Sequence, residues 1–298
     1  LEWPVPAEEM TNASIAVQTL RINLACAMTS RSGAKAQLQA SCYDQFLRFL
    51  AIPPWRANEG ATSKTIMFRI TGLVMRIFES VARYGLNGSL LSTAPELWLF
   101  VGQWTGRLTA SASIDELALA SAYFDLLRVW VISATDPHSM EKEHDLVWTQ
   151  VGGLEWAEEA LHVLGADFVR DSFKSGSSSR KDLGIAKLEQ SAVELLAAWT
   201  AGVTKNTPLG GAEAKDALKK GFPVDFAENT RKGLQAVASL DAASSGSQLR
   251  VWAGLADSRF MLCSRLDMNV FADELAVLSY VRSLAALKDV YSVRGLRY

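Results

Sequence analysis

The sequence lacks most of the motifs that identify an enzyme. It has only three histidines in 298 residues, and it contains neither a G-x-G-x-x-G nor a G-x-x-x-x-G-K-[ST] nucleotide-binding motif. It also contains no G-x-S-x-G motif, the turn that presents the nucleophilic serine of many hydrolases. These absences argue against nucleotide-dependent and hydrolytic catalysis, and we expect no small-molecule substrate.

Neither the net charge nor the cysteine content points to a special environment. The 30 Lys plus Arg and 32 Asp plus Glu leave a net charge of -2, so no whole-chain field draws the protein to nucleic acid or to an anionic membrane. Nucleic acid is therefore an unlikely partner. The odd, widely spaced set Cys26, Cys42 and Cys263 lies in apolar helical contexts, which predicts buried thiols in a reducing, intracellular compartment.

Long hydrophobic runs are also missing. Every apolar stretch is far shorter than the roughly 20 residues that span a bilayer, so we predict no membrane insertion. No positively charged segment leads into an apolar run, and the sequence therefore predicts no signal peptide. The start at Leu1 rather than at a methionine is compatible with a fragment or a processed product of a larger protein.

Helical periodicity dominates the sequence, and strand signals are nearly absent. One example is the segment 64–84, where a broad apolar stripe includes Ile70, Ile77 and Phe78, while Arg76 and Glu79 largely avoid it. We therefore predict an all-α chain that forms a single helical domain over 1–298. The predicted helices cover about residues 7–29, 34–50, 64–84, 94–109, 113–134, 137–165, 181–203, 211–220, 224–240, 246–263 and 268–291.

Helix start signals and breakers agree with this division. Ser113 and Glu116 have the spacing of a capping box, which predicts a helix start. The serine-rich stretches at 175–179 and 244–247 are the expected mobile loops. The helix "SIDELALASAYFDLLRVWVISA" is apolar around most of its circumference, so it must be covered on more than one side, and the helices must pack in layers.

Two stretches suggest a family. "KAQLQASCYDQFLRFLAIPPW" and "LEQSAVELLAAWTAGVT" are amphipathic, rich in Leu and Ala, and bounded by short turns. This texture resembles the HEAT/ARM solenoids of karyopherins and large inner-ring nucleoporins. The first six helices group as pairs that start about 50 residues apart, near the roughly 40 to 47 residues of a HEAT pair. The resemblance implies an irregular superhelical stack of about ten helices. A compact orphan helical bundle is the alternative.

One cluster suggests a metal site. Glu141 with His144, and Glu159 with His162, repeat the Glu-x-x-His spacing that places a carboxylate and an imidazole side by side on a helix. Di-iron helical bundles use two such motifs and two further glutamates. The further donors could be Glu116 and Glu194.

The spacing of the histidines opposes this interpretation. On one continuous helix over 137–165, His144 and His162 lie five turns, or about 27 Å, apart. Only a break at Gly152 and Gly153 could bring them together. Asp136 has the position of an N-cap and His144 lies on the apolar stripe, so we favour an ordinary helix start and expect neither a metal nor a cofactor.

Candidate protein-binding residues lie outside the predicted helix stripes. Most of the nine tryptophans occupy stripe positions and are predicted to be buried. Trp55 differs, because it lies beside Arg56 in the rigid turn "IPPWRANEG", and a Trp/Arg pair on a loop is typical of an interface anchor. Arg294 and Arg297 follow the last predicted helix and form a candidate docking tail.

We therefore predict a non-enzymatic scaffold or adaptor segment of a large protein assembly, with other proteins as its partners. The resemblance implies a role at the nuclear pore or in transport and slightly favours the nucleus or nuclear envelope over the cytoplasm. A self-assembling viral nucleoprotein or coat protein that binds RNA is the alternative function. A helical di-metal enzyme that uses the two Glu-x-x-His motifs is the third.

Overall fold

The computed structural model describes about half of the chain, and six helices of defined extent occupy most of that part. We number them α1 (Ile114–Thr135), α2 (Gly153–Gly165), α3 (Arg180–Asn206), α4 (Gly211–Gly221), α5 (Phe226–Ser239) and α6 (Gly246–Arg265). No strand occurs among the described residues, which confirms the all-α prediction for this part of the chain. The described residues are 68–69, 71–72, 75–76, 78–79, 105, 108–135, 153–170, 179–206, 211–239 and 246–270.

The start of α1 has the predicted local cause. The backbone N–H of Ser113 donates to the Glu116 carboxylate at 2.7 Å, and the N–H of Glu116 donates to the Ser113 hydroxyl at 3.2 Å. These reciprocal bonds satisfy two of the N–H groups that a helix start leaves without intrahelical partners. The predicted capping box is therefore confirmed.

Similar side-chain bonds begin two other helices. The N–H of Asp182 donates to the Ser179 hydroxyl at 3.1 Å, which makes Ser179 the N-cap of α3. Before α5, the Asp225 carbonyl accepts the N–H of Asn229 at 2.8 Å, and the Asp225 carboxylate accepts the Asn229 side-chain amide at 2.7 Å. Both helices therefore start at short polar side chains.

Helix α1 is covered on several sides, as its apolar circumference predicts. Between Ile114 and Ile132, only a few side chains reach solvent, and the aromatic residues Tyr123, Phe124 and Trp130 are fully buried. The Trp130 ring lies 6.0 Å from the ring of Trp156 on α2, measured between centroids. Layered packing around α1 is therefore confirmed.

Four helical segments form a row in which neighbours run parallel. Arg69 pairs with Asp115 and Arg76 pairs with Asp125. Because the residue numbers of both partners increase from the first pair to the second, the 68–79 segment and α1 run in the same direction. The same ascending order joins α1 to α3, through Gly184 against Leu117 and Arg128 with Glu194.

Ascending contacts continue from α3 to α6. A Cβ on Gly254 would lie 3.1 Å from the Gln190 amide nitrogen, Ser258 donates to Glu194 at 3.1 Å, and Arg265 donates to the carbonyl of Ala197. Helix α3 lies between α1 and α6, and it also contacts α2 and α4. The row is thus the 68–79 segment, α1, α3 and α6, with the other helices as connections between its members.

The sequence offset between neighbours in the row is not constant. Bonds between the 68–79 segment and α1 join residues 46 and 49 positions apart. Bonds between α3 and α6 join residues 64 to 70 positions apart. The first offset is close to the predicted pair length of about 50 residues, whereas the offsets between α3 and α6 are longer, and two helices, α4 and α5, connect that pair.

The predicted stripe of the 64–84 segment is partly wrong. Phe78 is buried as expected, but Phe68, Met75 and Glu79 are buried too. Glu79 was predicted to avoid the apolar stripe, yet it is 9% exposed. The physical reason is a bond from Arg76 at 2.8 Å, which partly neutralises the carboxylate beside α1.

Two further predictions are tested only in part. Ser179 caps α3 and α6 begins at Gly246, while the other residues before them in the predicted loops 175–179 and 244–247 lie outside the described residues. Within the described part of the chain, every helix is too short or too polar to cross a membrane.

Candidate functional site

Three clusters of charged side chains lie between neighbouring helices of the described part of the chain. The first lies where the 68–79 segment meets α1. Arg76 donates to Asp125 and also to Glu79 at 2.8 Å. Asp125 is only 4% exposed, so its charge depends on these neighbours rather than on water.

The pKa of Asp125 reflects this environment. Burial by itself raises the pKa, because it disfavours the charged carboxylate, but the charges of Arg76, Lys187 and Arg128 outweigh burial. The net result is a pKa below the ordinary value for an aspartate. Asp125 is therefore a carboxylate at neutral pH and is held between α1, α3 and the 68–79 segment.

The second cluster surrounds Glu194 of α3. Arg128 of α1 pairs with its carboxylate. Gln190 donates to the same carboxylate at 2.8 Å and Ser258 of α6 donates to it at 3.1 Å. One glutamate thus connects three members of the row.

The third cluster is the most buried, and Arg259 of α6 is its centre. The guanidinium pairs with Glu189 of α3, donates to the Thr230 hydroxyl at 3.0 Å and donates to the Phe226 carbonyl at 3.3 Å. It also lies over the Phe226 ring, 4.2 Å from the centroid, in cation–π geometry. Arg259 is 4% exposed and Glu189 is 1% exposed, so the whole pair is removed from water.

Burial controls the two other titratable groups of this cluster. It raises the pKa of Glu189, although the charge and hydrogen bond of Arg259 oppose the change. It also raises the pKa of the Cys263 thiol, against smaller opposing effects of Thr230 and Arg259. Cys263 is free and fully buried, as its apolar context predicts. A raised thiol pKa disfavours the nucleophilic thiolate.

The chemistry that these clusters support is mutual neutralisation of charge across helix interfaces. In each cluster, an arginine satisfies at least one carboxylate from another helix. Such pairs fix which residues face each other, because a shifted alignment would leave a buried charge without a partner. The clusters therefore define the register of the row.

The candidate metal ligands that the structure describes lie in different surroundings and do not form one site. Glu159 accepts the Tyr123 hydroxyl at 3.2 Å, and His162 is exposed near the end of α2. Glu116 belongs to the α1 capping box and Glu194 to the second cluster. Within the described residues, no group of three or more His, Cys, Asp and Glu side chains could hold a metal ion.

The other half of that motif, Glu141 and His144, lies outside the described residues. Helix α2 begins at Gly153, where a break would be needed for the metal site, but the residues immediately before it are also outside the described part. Whether one helix runs continuously over 137–165, as the sequence predicts, is therefore not tested by the described residues.

The candidate interface residues lie outside the described residues as well. These are Trp55, Arg56, Arg294 and Arg297. Four of the nine tryptophans are described, and all four are at most 4% exposed, which confirms their prediction as core residues: Trp130, Trp156, Trp199 and Trp252.

The charged clusters were not predicted, although the sequence contains a signal for them. Glu189 has Ile185 and Val193 four residues to either side, and all three are buried. Arg259 lies in the same way between Leu255 and Cys263. A charged residue inside an apolar stripe indicates a buried ion pair, and two such residues on different helices are candidate partners.

Comparison with protein-family models, curated proteins and solved structures yields no match for this chain. The resemblance to HEAT/ARM solenoids thus stays a prediction from the sequence.

Proposed function

We propose that the chain is a non-enzymatic scaffold or adaptor segment of a larger protein assembly and that it binds other proteins through helical faces and inter-helix loops. The observation that carries this proposal is the row of parallel helices, the 68–79 segment, α1, α3 and α6. Side-by-side parallel helices joined by return helices are typical of α-solenoids, whose extended surfaces serve as binding platforms. The proposed architecture is an irregular HEAT/ARM-like stack.

The three ion-pair clusters support the same proposal. Arginines and carboxylates in them bond to each other across helix interfaces, so these charges hold the helix alignment. A scaffold requires such a fixed alignment, because its partners bind surfaces that several helices build together. Under this proposal the protein acts inside the cell, in the nucleus or at the nuclear envelope in preference to the cytoplasm, at the nuclear pore or in transport.

The test uses quantitative affinity capture from native extract with the tagged full-length chain. We expect a small set of proteins in fixed stoichiometry. The double substitution of Trp55 and Arg56 by alanine, or that of Arg294 and Arg297, should reduce their recovery at least tenfold, because Trp and Arg anchors dominate interface energies. The control is Lys220→Ala, on an exposed position near the end of α4.

Three outcomes would contradict the scaffold proposal. A monomer that captures no protein at fixed stoichiometry would do so. RNA recovery with a steep salt dependence would favour the nucleoprotein alternative instead. Stoichiometric iron, manganese or zinc in the purified protein would favour the di-metal enzyme.

A further inference from the structure

Helix α5 forms a single layer over the third charged cluster. Its buried positions include Phe226, Thr230 and Leu234, which follow each other at intervals of four residues and therefore share one face. Its opposite face is exposed at Glu228 and Lys232, which pair with each other at 2.7 Å. The helix is thus amphipathic, with solvent on its outer side.

Few described elements hold α5 in place. Its main contacts within the described part of the chain are with α6. Its start is tied by the half-buried Arg170, which donates to the Asp225 carboxylate at 3.2 Å. By contrast, α3 packs against both α1 and α6 through long buried faces.

The surface beneath α5 contains a buried ion pair. Arg259 donates to α5 at the Thr230 hydroxyl and at the Phe226 carbonyl, and it pairs with Glu189 on its other side. The second carboxylate oxygen of Glu189 is buried without a hydrogen-bond partner in the described part of the chain. Such an oxygen costs free energy in the closed state, because the lost hydration is not replaced.

Water therefore compensates for part of the contacts that are lost when α5 lifts. Arg259 and Glu189 regain hydration, and α5 loses contacts mainly with α6, whereas α3 separates only by losing its buried faces against both α1 and α6. The free energy of local opening is consequently lower at α5 than at the row.

We propose that α5 is a cover helix that opens locally over the Arg259–Glu189 pair while the row of helices stays folded. Opening uncovers Arg259, Glu189 and Cys263 on the faces of α3 and α6. This inference does not depend on the proposed scaffold function, since it follows from the packing of α5 whatever the protein binds.

Hydrogen exchange of the full-length chain, followed by mass spectrometry, tests the proposal. We expect the amides of α5 to be protected at least tenfold less than those of the buried middle of α3. Peptide-resolved alkylation should show Cys263 reacting at the α5 opening rate, because its sulfur lies 3.9 Å from the Thr230 hydroxyl beneath α5.

Two matched variants, one in α5 and one in α3, test whether α5 opens separately from α3. Thr230→Val removes the hydroxyl that accepts the Arg259 bond, and it should lower α5 protection at least threefold, because the bond is lost as soon as α5 opens. Thr200→Val is the control, because Thr200 is equally buried in α3 and makes the same 2.7 Å bond to the carbonyl four residues earlier. It should lower α3 protection and leave α5 protection unchanged, because α3 stays folded when α5 opens.

The wild-type measurement alone can overturn the proposal. If α5 and α3 exchange together, or if Cys263 reacts only at the rate of global unfolding, α5 is part of the cooperative core. A Thr200→Val variant that lowers both protections equally would lead to the same conclusion.

Discussion

Three charged residues, Asp125, Glu189 and Arg259, lie on buried helix faces and decide how the helices align. A buried ion pair adds little net stability, because the desolvation of both charges offsets their attraction. Removal of one partner is much more costly, since the other charge then stays buried alone. These residues therefore contribute more to the specificity of packing than to its strength.

Arg259 and Glu189 allow a direct test of this asymmetry. We expect Arg259→Met to lower the free energy of unfolding by about 3–5 kcal/mol, because the substitution strands the Glu189 carboxylate. The double variant Glu189→Met with Arg259→Met should recover most of this loss, as both charges are gone and the volumes are similar. Urea denaturation of wild type, both single variants and the double variant measures the coupling. Additive losses in the double variant would contradict this account.

The lowered pKa of Asp125 predicts a specific pH dependence. A carboxyl group whose folded pKa lies below its ordinary value of 3.8 stabilises the fold above that value, and the contribution disappears as pH falls through the folded pKa. At pH 7, Asp125→Asn should be less stable than wild type by about 3 kcal/mol, because Arg76 loses its buried partner.

Urea denaturation from pH 7 down to pH 3 measures the difference between the two proteins. It should be constant at neutral pH and shrink below about pH 4, where the Asp125 carboxyl of the unfolded chain begins to be protonated before that of the folded protein. A difference that grows toward acid pH would show that the Asp125 pKa is raised rather than lowered. Asp216→Asn, at an exposed position of α4, is the control.

At the scale of single helices, much of the described fold could be predicted from the sequence. Ser113 and Glu116 identified the start of α1, and the structure places both ends of α1 within one residue of the prediction. Such signals are local, because a cap involves residues within four positions of each other. Which residues of the 68–79 segment are buried was not predictable from such local signals. Glu79 is buried because of Arg76 and the face of α1, and a stripe of apolar residues does not reveal that contact.

The C-terminal end of α6 is followed by a residue with an unfavourable backbone conformation, and one substitution should relieve this strain. Asp267 has φ of 52°, in the left-handed region, and its neighbours form a Schellman motif in which the Met268 N–H donates to the Cys263 carbonyl at 2.9 Å. Glycine adopts this conformation without steric cost, so Asp267→Gly should raise the free energy of unfolding by about 0.5–1 kcal/mol. The bond from Lys219 goes to the backbone carbonyl of residue 267 and is kept.

Thermal and urea denaturation should both show this gain. Asp267→Ala is the matched control, because it removes the same carboxylate but keeps the Cβ that disfavours positive φ. We expect the alanine variant to be no more stable than wild type. If alanine stabilised the protein as much as glycine, the gain would come from loss of the charge and not from the backbone.

At the scale of the whole molecule, the order of the helices was predictable but their neighbours were not. The helical spacing of apolar residues and the turn residues between helices located α3 and α6 in the sequence. The pairing of Glu189 with Arg259, however, joins residues that are 70 positions apart. The connection from α3 to α6 contains two helices, α4 and α5. Only the buried charges indicate this alignment, since apolar faces tolerate several registers whereas a buried carboxylate requires its cation.

Solution scattering distinguishes the two architectures that the sequence left open. A compact globular chain of 298 residues has a radius of gyration of about 19 Å. If the parallel row belongs to a superhelical stack, the monomer should exceed this value clearly and show an asymmetric distance distribution, because each further helix pair lengthens the row. Light scattering on the same samples, over a range of concentrations, establishes that the particle is monomeric. A monomer near the compact value, with a symmetric distribution, would mean that the row folds back into a bundle and that the solenoid proposal is wrong.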